Sequence, residues 1–350
     1  MLTLFLSTVA LAQSNNAFRV HTGPLLQPSD LSWGLQSTIG SPAVIRDEAT
    51  DTVGTTYDIL LMVYETQTAG TSDGCPVGEW GVGLAYSFDG TNWSDAGAIV
   101  PPGDKYYTCV AAHPSIVSLG TGTDWAIFFK AEQDPTGCTS TAWGCDRYTG
   151  VGRLALQYVG STGPGSFEYS LTDTAVEPVM QSVAQDMGYP SVMYAAGNYH
   201  MAFAQNPDVY IVSSPFTTLF SAPGAPVITA GTSASGWEDD ELFSPSILCH
   251  TSTSFKLYAG GRDFDPYPTL DNQSTGGFSS TDLTTWTEIA DDYHNLKDDG
   301  FEVRHLDMTT SGTGNRYGAY HTRRIGGTNE VWLSSTNQFR WYNIQDKRCP

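Results

Sequence analysis

The chain has 350 residues, with 16 Lys and Arg against 37 Asp and Glu and a formal charge of −21. Aromatics at 12%, charged residues at only 15%, and 36 Gly with 19 Pro exclude a disordered chain and describe a large folded core rich in strand and turn formers. Five Lys in all and the acidic balance argue against nucleic acid, whose phosphates need a basic surface, and against an anionic membrane surface.

Residues 1–12 form a short apolar run ending in Ala10-Leu11-Ala12, a small-x-small pattern of signal-peptide cleavage, and polar Gln13-Ser14-Asn15-Asn16 follows. A buried N-terminal strand is the competing reading, because the run carries no Lys or Arg. The expectation is a signal peptide over 1–12 and one domain over 13–350, secreted or periplasmic. Six cysteines fit an oxidising compartment. Cys138 and Cys145 share a Gly-rich loop, Cys75 and Cys109 fall in two other loops, and Cys249 and Cys349 remain; other pairings stay open. No CxxC pair or His–Cys cluster points to zinc.

From there the chain repeats one unit. Four segments open with Pro, a small residue and two residues of aliphatic type: Pro42-Ala43-Val44-Ile45, Pro114-Ser115-Ile116-Val117, Pro190-Ser191-Val192-Met193 and Pro245-Ser246-Ile247-Leu248. His305-Leu306-Asp307-Met308 stands where a fifth copy falls, without the Pro. Each is followed by a second strand pattern, at 59–64, 125–129, 199–203, 255–258 and 317–320. A third strand then ends in a Ser with an aromatic six positions on: Ser87/Trp93, Ser161/Phe167, Ser214/Phe220, Ser280/Trp286 and Ser335/Trp341. The polar stretch between them predicts a turn, with the aromatic packing back over it to set the register of a fourth strand. Uneven spacing around a constant unit predicts radial repetition with variable loops: an all-β, five-bladed β-propeller. A β-sandwich is the alternative, but two packed sheets do not need five equivalent units.

The Pro-Ser-Ile/Val openings, with hairpins such as Ser87-Phe88-Asp89-Gly90-Thr91-Asn92-Trp93 and Ser280-Thr281-Asp282-Leu283-Thr284-Thr285-Trp286, resemble the five-bladed propeller glycoside hydrolases. These are the family-43 arabinanase/xylosidase type and its invertase-like relatives. The resemblance covers about residues 39–341 and implies a site in the central channel, at the starts of the innermost strands. It implies an Asp base in the first blade, an orienting Asp in the third and a Glu acid in the fourth. In this chain Ser41, Tyr189 and Ser244 stand at the matching positions before Pro42, Pro190 and Pro245. The resemblance further implies a calcium ion or water cluster in the channel near a fifth-blade His, which His305 matches; no cofactor is otherwise required.

Read as residues, Glu241 is the candidate acid, because Glu238, Asp239 and Asp240 crowd it and favour its protonated form. Asp186 is the candidate modulator and Asp30, in Ser29-Asp30-Leu31-Ser32-Trp33, the candidate base. The competing readings are a solvated acidic loop or loop calcium site for 238–241, and turn-forming roles for Asp186 and Asp30. His113, Arg262, Asp263, Arg304, Trp80 and Trp143 are the candidate substrate-binding residues, supplying hydrogen bonds and stacking faces. Against that stand an Arg262–Asp263 ion pair, loop packing for the aromatics and a structural role for the His. No GxSxG elbow, HExxH pair or phosphate loop ending in Lys is present. The expected function is a monomeric glycoside-hydrolase-like propeller acting on an oligo- or polysaccharide. Its alternative is a non-catalytic carbohydrate- or protein-binding module.

Overall fold

The computed structural model describes residues 19–20, 23–33, 38–67, 80–100, 110–121, 123–132, 149–163, 166–172, 177–182, 187–232, 240–262, 273–289, 302–310, 317–325, 328–335 and 347–349. Among the described residues, the chain enters through β1 (Arg19–Val20) and a single-turn 3-10 helix at Pro28–Asp30, and all later elements are strands. Blade 1 is an antiparallel meander of β2 (Ile39–Thr50), β3 (Thr56–Gln67), β4 (Trp80–Ser87) and β5 (Ser94–Val100). Blade 2 runs β6 (Val110–Ser118), β7 (Asp124–Glu132) and β8 (Thr149–Gly163), and the outer edge of β8 is shared by β9 (Ser166–Leu171) and β10 (Glu177–Ser182). In blade 3, β11 (Met187–Ala195), β12 (Asn198–Gln205) and β13 (Asp208–Ser214) are followed by a single bridge from Ile228 to Val209. Blade 4 comprises β14 (Glu241–Thr251), β15 (Ser254–Arg262), β16 (Gln273–Ser280) and β17 (Thr287–Glu288). Blade 5 comprises β18 (Glu302–Thr310), β19 (Tyr317–Ile325) and β20 (Thr328–Ser335).

The innermost strands touch in the cyclic order β2, β6, β11, β14, β18 and back to β2. The fold is a five-bladed β-propeller. Its ring is closed by the N-terminal segment: Arg19 lies opposite Ser335, and Leu26 bridges Val331, so the outer edge of β20 is covered. This takes the place of the fourth strand expected after the Ser335/Trp341 hairpin; Trp341 itself lies outside the described residues. Pairing both ends of the chain into one blade removes an open sheet edge.

Inner strands β2, β6 and β14 are buried on both faces, which is why they read as near-continuous apolar runs. Solvent-facing β5 alternates instead. The core is divided among the clefts between blades. One cluster joins Ile45, Leu61 and Leu84 of blade 1 to Ile127 and Leu156 of blade 2. A second joins Phe128 to Met201 and Phe203, a third joins Val209 to Leu257, and a fourth joins Leu60 and Tyr64 to Tyr320 and Val331.

The repeated hairpin carries that packing. In blade 1, Ser87 Oγ accepts the Gly90 N–H at 2.9 Å, Asp89 Oδ1 accepts those of Thr91 and Asn92 at 2.8 and 2.7 Å, and Trp93 Nε1 donates to Gly90 O at 3.2 Å. Blade 4 repeats each bond with Ser280, Leu283, Asp282, Thr284, Thr285 and Trp286, at 2.9, 2.8, 2.7 and 3.3 Å. The aromatic then packs on the preceding blade: Trp93 lies 6.1 Å from Tyr320, Phe167 5.6 Å from Tyr57, and Phe220 6.1 Å from Phe128, centroid to centroid. One short motif therefore shapes a turn and also docks neighbouring blades.

Candidate functional site

All five inner strands slip register at the same place. The breaks fall between Gly40 and Ala43, Ala112 and Ser115, Gly188 and Ser191, Phe243 and Ser246, and Arg304 and Asp307. In the first four blades the residue before Pro takes a left-handed backbone, with φ of 45° at Ser41, 50° at His113, 55° at Tyr189 and 48° at Ser244. Non-glycine residues seldom adopt that conformation, and Pro biases its predecessor towards extended backbone. A bulge re-aims the side chain it carries. Here the four bulged residues all line one cavity on the propeller axis, with Ala43, Ser115, Ser191 and Asp307 beneath them. His305 occupies the fifth equivalent strand position.

The cavity measures about 30 Å³, room for roughly two water molecules and far below ligand-pocket size. The lower layer is stitched between blades: Val192 N–H donates to Ser115 Oγ at 3.2 Å, Ile247 N–H to Ser191 Oγ at 3.1 Å, and Val44 N–H to Asp307 Oδ2 at 2.9 Å.

The upper layer is built around Glu65, on β3 opposite Gly40. Glu65 Oε1 accepts the Ser41 hydroxyl at 2.7 Å and Oε2 accepts the His113 N–H at 2.7 Å, with His113 Nε2 at 3.8 Å. Ser41 N–H donates to Thr322 Oγ1 at 2.9 Å, tying blade 1 to blade 5. The His113 ring stacks on Tyr189, with centroids 3.7 Å apart and planes 17° from parallel, and Tyr189 lies 6.2 Å from Phe243. These contacts link blades 5, 1, 2, 3 and 4 in turn. Burial pushes the Glu65 carboxyl up to about 7, against the pull of the His113 N–H, the Ser41 hydroxyl and the Lys130 charge. Ser41 donates to Glu65 and not to the imidazole, so the trio lacks the order of a nucleophilic triad.

Of the residues singled out from sequence, His113 lines the channel and is 4% exposed. Glu241 is half-buried as the first residue of β14, in backbone register with Arg262, the last residue of β15. Arg304 and His305 lie in β18 at its register break, Arg304 opposite Thr322. Asp30 is exposed and accepts the Gln27 N–H at 2.9 Å, closing its own turn. Trp80 is buried at the start of β4, 7% exposed, and bridges Val110. Asp186, Trp143, Glu238, Asp239 and Asp263 lie outside the described residues. Among the described residues, no three His, Cys, Asp or Glu side chains are grouped to hold a metal ion.

Sequence reasoning did not find Glu65, Lys130 or Thr322. They sit opposite Gly40, Ala112 and Arg304, at one equivalent position of the second strands. Two of them left a signal: Glu65 directly follows the apolar run 59–64, and Lys130 the run 125–129, each a charge at the end of a buried strand.

The described cysteines Cys249 and Cys349 form a disulfide with Cα atoms 5.6 Å apart. No described helix is long and apolar enough to cross a membrane.

No protein-family model and no curated protein matches the chain. Solved structures do match in fold. A thermostable family-43 glycoside hydrolase superposes with a TM-score of 0.58 at 14% identity, over 88% of this chain and 92% of that one. An α-L-arabinofuranosidase from Podospora anserina, in complex with cellotriose, gives 0.56 at 10% identity, over 92% and 97%. An α-L-arabinofuranosidase from Lactobacillus brevis gives 0.52 at 12% identity, over 93% and 98%. The chain has the fold of the family-43 type of glycoside hydrolase.

Proposed function

We propose that this chain is an exported, monomeric carbohydrate-recognition protein on a glycoside-hydrolase propeller, engaging an oligo- or polysaccharide across the channel mouth. The observation that carries this reading is the ring at the inner-strand breaks: Ser41, His113, Tyr189, Ser244 and His305. Hydrolysis needs two carboxyl groups about 5–9.5 Å apart flanking the scissile bond. Among the described residues, the two carboxyls bonded to this ring and to the layer beneath it are already engaged. Glu65 accepts Ser41 and His113, while Asp307 accepts Val44, Ser246 and Lys347. Hydroxyls, an imidazole and a half-buried phenol suit sugar hydroxyls and sugar faces instead. The carbohydrate class is supported by the arabinofuranosidases of the same fold, and export by the Cys249–Cys349 disulfide.

A second reading keeps hydrolysis, with Glu241 as acid, and is favoured by its half-buried place three residues before Ser244 in β14. Calorimetric titration with arabinan- and xylan-derived oligosaccharides, followed by chromatography of the same samples, separates the two. The expected result is binding by wild type, at least tenfold weaker binding by Tyr189→Ala, and intact oligosaccharide throughout. Cleavage by wild type that vanishes in Glu241→Gln would establish the hydrolytic reading, and no binding to any of the oligosaccharides would overturn both.

A further inference from the structure

The far end of the channel is closed by the last described segment. Lys347–Cys349 runs across the exits of three inner strands. Arg348 Nη1 donates to Ser118 O of blade 2 at 3.1 Å, and its guanidinium lies 3.9 Å over the Tyr194 ring of blade 3. Tyr194 N–H donates to Lys347 O at 2.9 Å and Cys349 N–H to Tyr194 O at 2.7 Å, as in an added parallel strand. Cys349 is covalently bound to Cys249 of blade 4.

This strap delivers one side chain into the ring. Lys347 is 4% exposed, and its Nζ lies 2.7 Å from Asp307 Oδ1. Ser246 Oγ donates to the same oxygen at 3.2 Å and Val44 N–H to Oδ2 at 2.9 Å, so three partners, from blade 1, blade 4 and the strap, converge on one blade-5 carboxylate.

The family resemblance implies a calcium ion in the channel near His305, two residues before Asp307, and the donor set around Asp307 does not fit one. Calcium takes six to eight oxygens, about 2.3–2.6 Å away and rich in carboxylate. Among the described residues lining the cavity, Asp307 is the one carboxylate, and an ammonium already sits on it. A second cation there would meet that charge at close range in a poorly screened interior. We infer that Lys347 is a tethered cation standing in for a channel metal, and that the Cys249–Cys349 disulfide holds the strap that presents it.

The experiment compares thermal melts of wild type, Lys347→Met, Asp307→Asn, the Lys347→Met/Asp307→Asn pair and Cys349→Ser. Each is run in millimolar CaCl₂ and in EGTA, with terbium luminescence as an independent readout of cation binding. Wild type should melt at the same temperature in both buffers and show no stoichiometric terbium signal. Lys347→Met strands a buried carboxylate and should melt roughly 5–10 °C lower in EGTA. Calcium should recover part of that loss, and the paired substitution should remove the calcium response. Cys349→Ser should lower the melting point by less when Lys347 is already Met than when it is not. Four results would each overturn the inference: a wild type destabilised by EGTA, a stoichiometric wild-type ion abolished by Asp307→Asn, a Lys347→Met variant as stable as wild type, or full additivity of Cys349→Ser with Lys347→Met. If Lys347→Met does not fold, the wild-type chelation and terbium arms still decide the matter.

Discussion

The carboxylate of Glu65, on the second strand of blade 1, accepts the backbone N–H of His113, on the inner strand of blade 2, at 2.7 Å. That bond holds the bulge that turns His113 towards the axis, so the channel mouth depends on a group that titrates close to neutrality.

The pH dependence follows with a definite sign. Burial holds Glu65 at about 7 in the fold against 4.5 as the ordinary value, and Asp47 at about 7 against 3.8. Between the lower and upper values the folded protein binds more protons than the unfolded chain, so stability falls as pH rises through that window. Urea titrations from pH 4.5 to pH 7.5 should show wild type losing stability, with Glu65 contributing about 3 kcal/mol of the change. Glu65→Gln should flatten the curve, because Gln does not titrate; its carbonyl oxygen can accept the His113 N–H while its NH2 faces the Ser41 hydroxyl, which can turn to accept. A wild type whose stability rises over the window would show that Glu65 is ionised throughout.

Gly40 is small because two side chains need its space. A Cβ there would lie 2.9 Å from Thr322 Oγ1 and 3.3 Å from Glu65 Oε1, the acceptors of Ser41. Gly40→Ala should cost about 1–3 kcal/mol by overpacking, and Gly40→Val more. Glycan affinity should fall in the same order, since the substitution displaces Ser41 at the ring. Chemical denaturation beside calorimetry checks both.

The hairpin serine is an acceptor for turn N–H groups. Ser280→Ala removes the partner of the Asp282 and Leu283 N–H groups and should cost about 1 kcal/mol in urea denaturation. Ser87→Ala should cost a similar amount, because Ser87 makes the same bonds to Asp89 and Gly90. The Asp282 carboxyl is held well below its usual range by the Thr285 and Thr284 N–H groups, so its support of the turn is present at neutral pH and is lost in strong acid.

The blades and their order were readable because each rests on local pattern: apolar strand runs, then a Ser with an aromatic six residues later. The family resemblance pointed to the starts of the inner strands, and there Pro42, Pro114, Pro190 and Pro245 mark the register breaks, with His305 in the aligned position. What local pattern could not supply was pairing across distance. Glu65 meets His113 and Thr322 meets Ser41 only because blades adjoin, and Lys347 meets Asp307 only because the chain end folds beneath the ring. The closing strand was hidden for another reason: β1 is two residues long and carries no period to detect. Trp80 and Asp30 show the limit of residue type as a guide. A tryptophan chosen as a stacking face is buried at a strand start, and an aspartate chosen for chemistry caps its own turn.

The most direct test of carbohydrate recognition at the channel mouth is a titration of ¹⁵N-histidine-labelled protein with a bound oligosaccharide, following the His113 imidazole by NMR. The account predicts a saturable shift of the His113 resonance, absent in Tyr189→Ala, while the oligosaccharide stays intact in the tube. Binding that leaves His113 unmoved would place recognition elsewhere on the propeller, and cleavage during the titration would make the protein a hydrolase; either result contradicts the account.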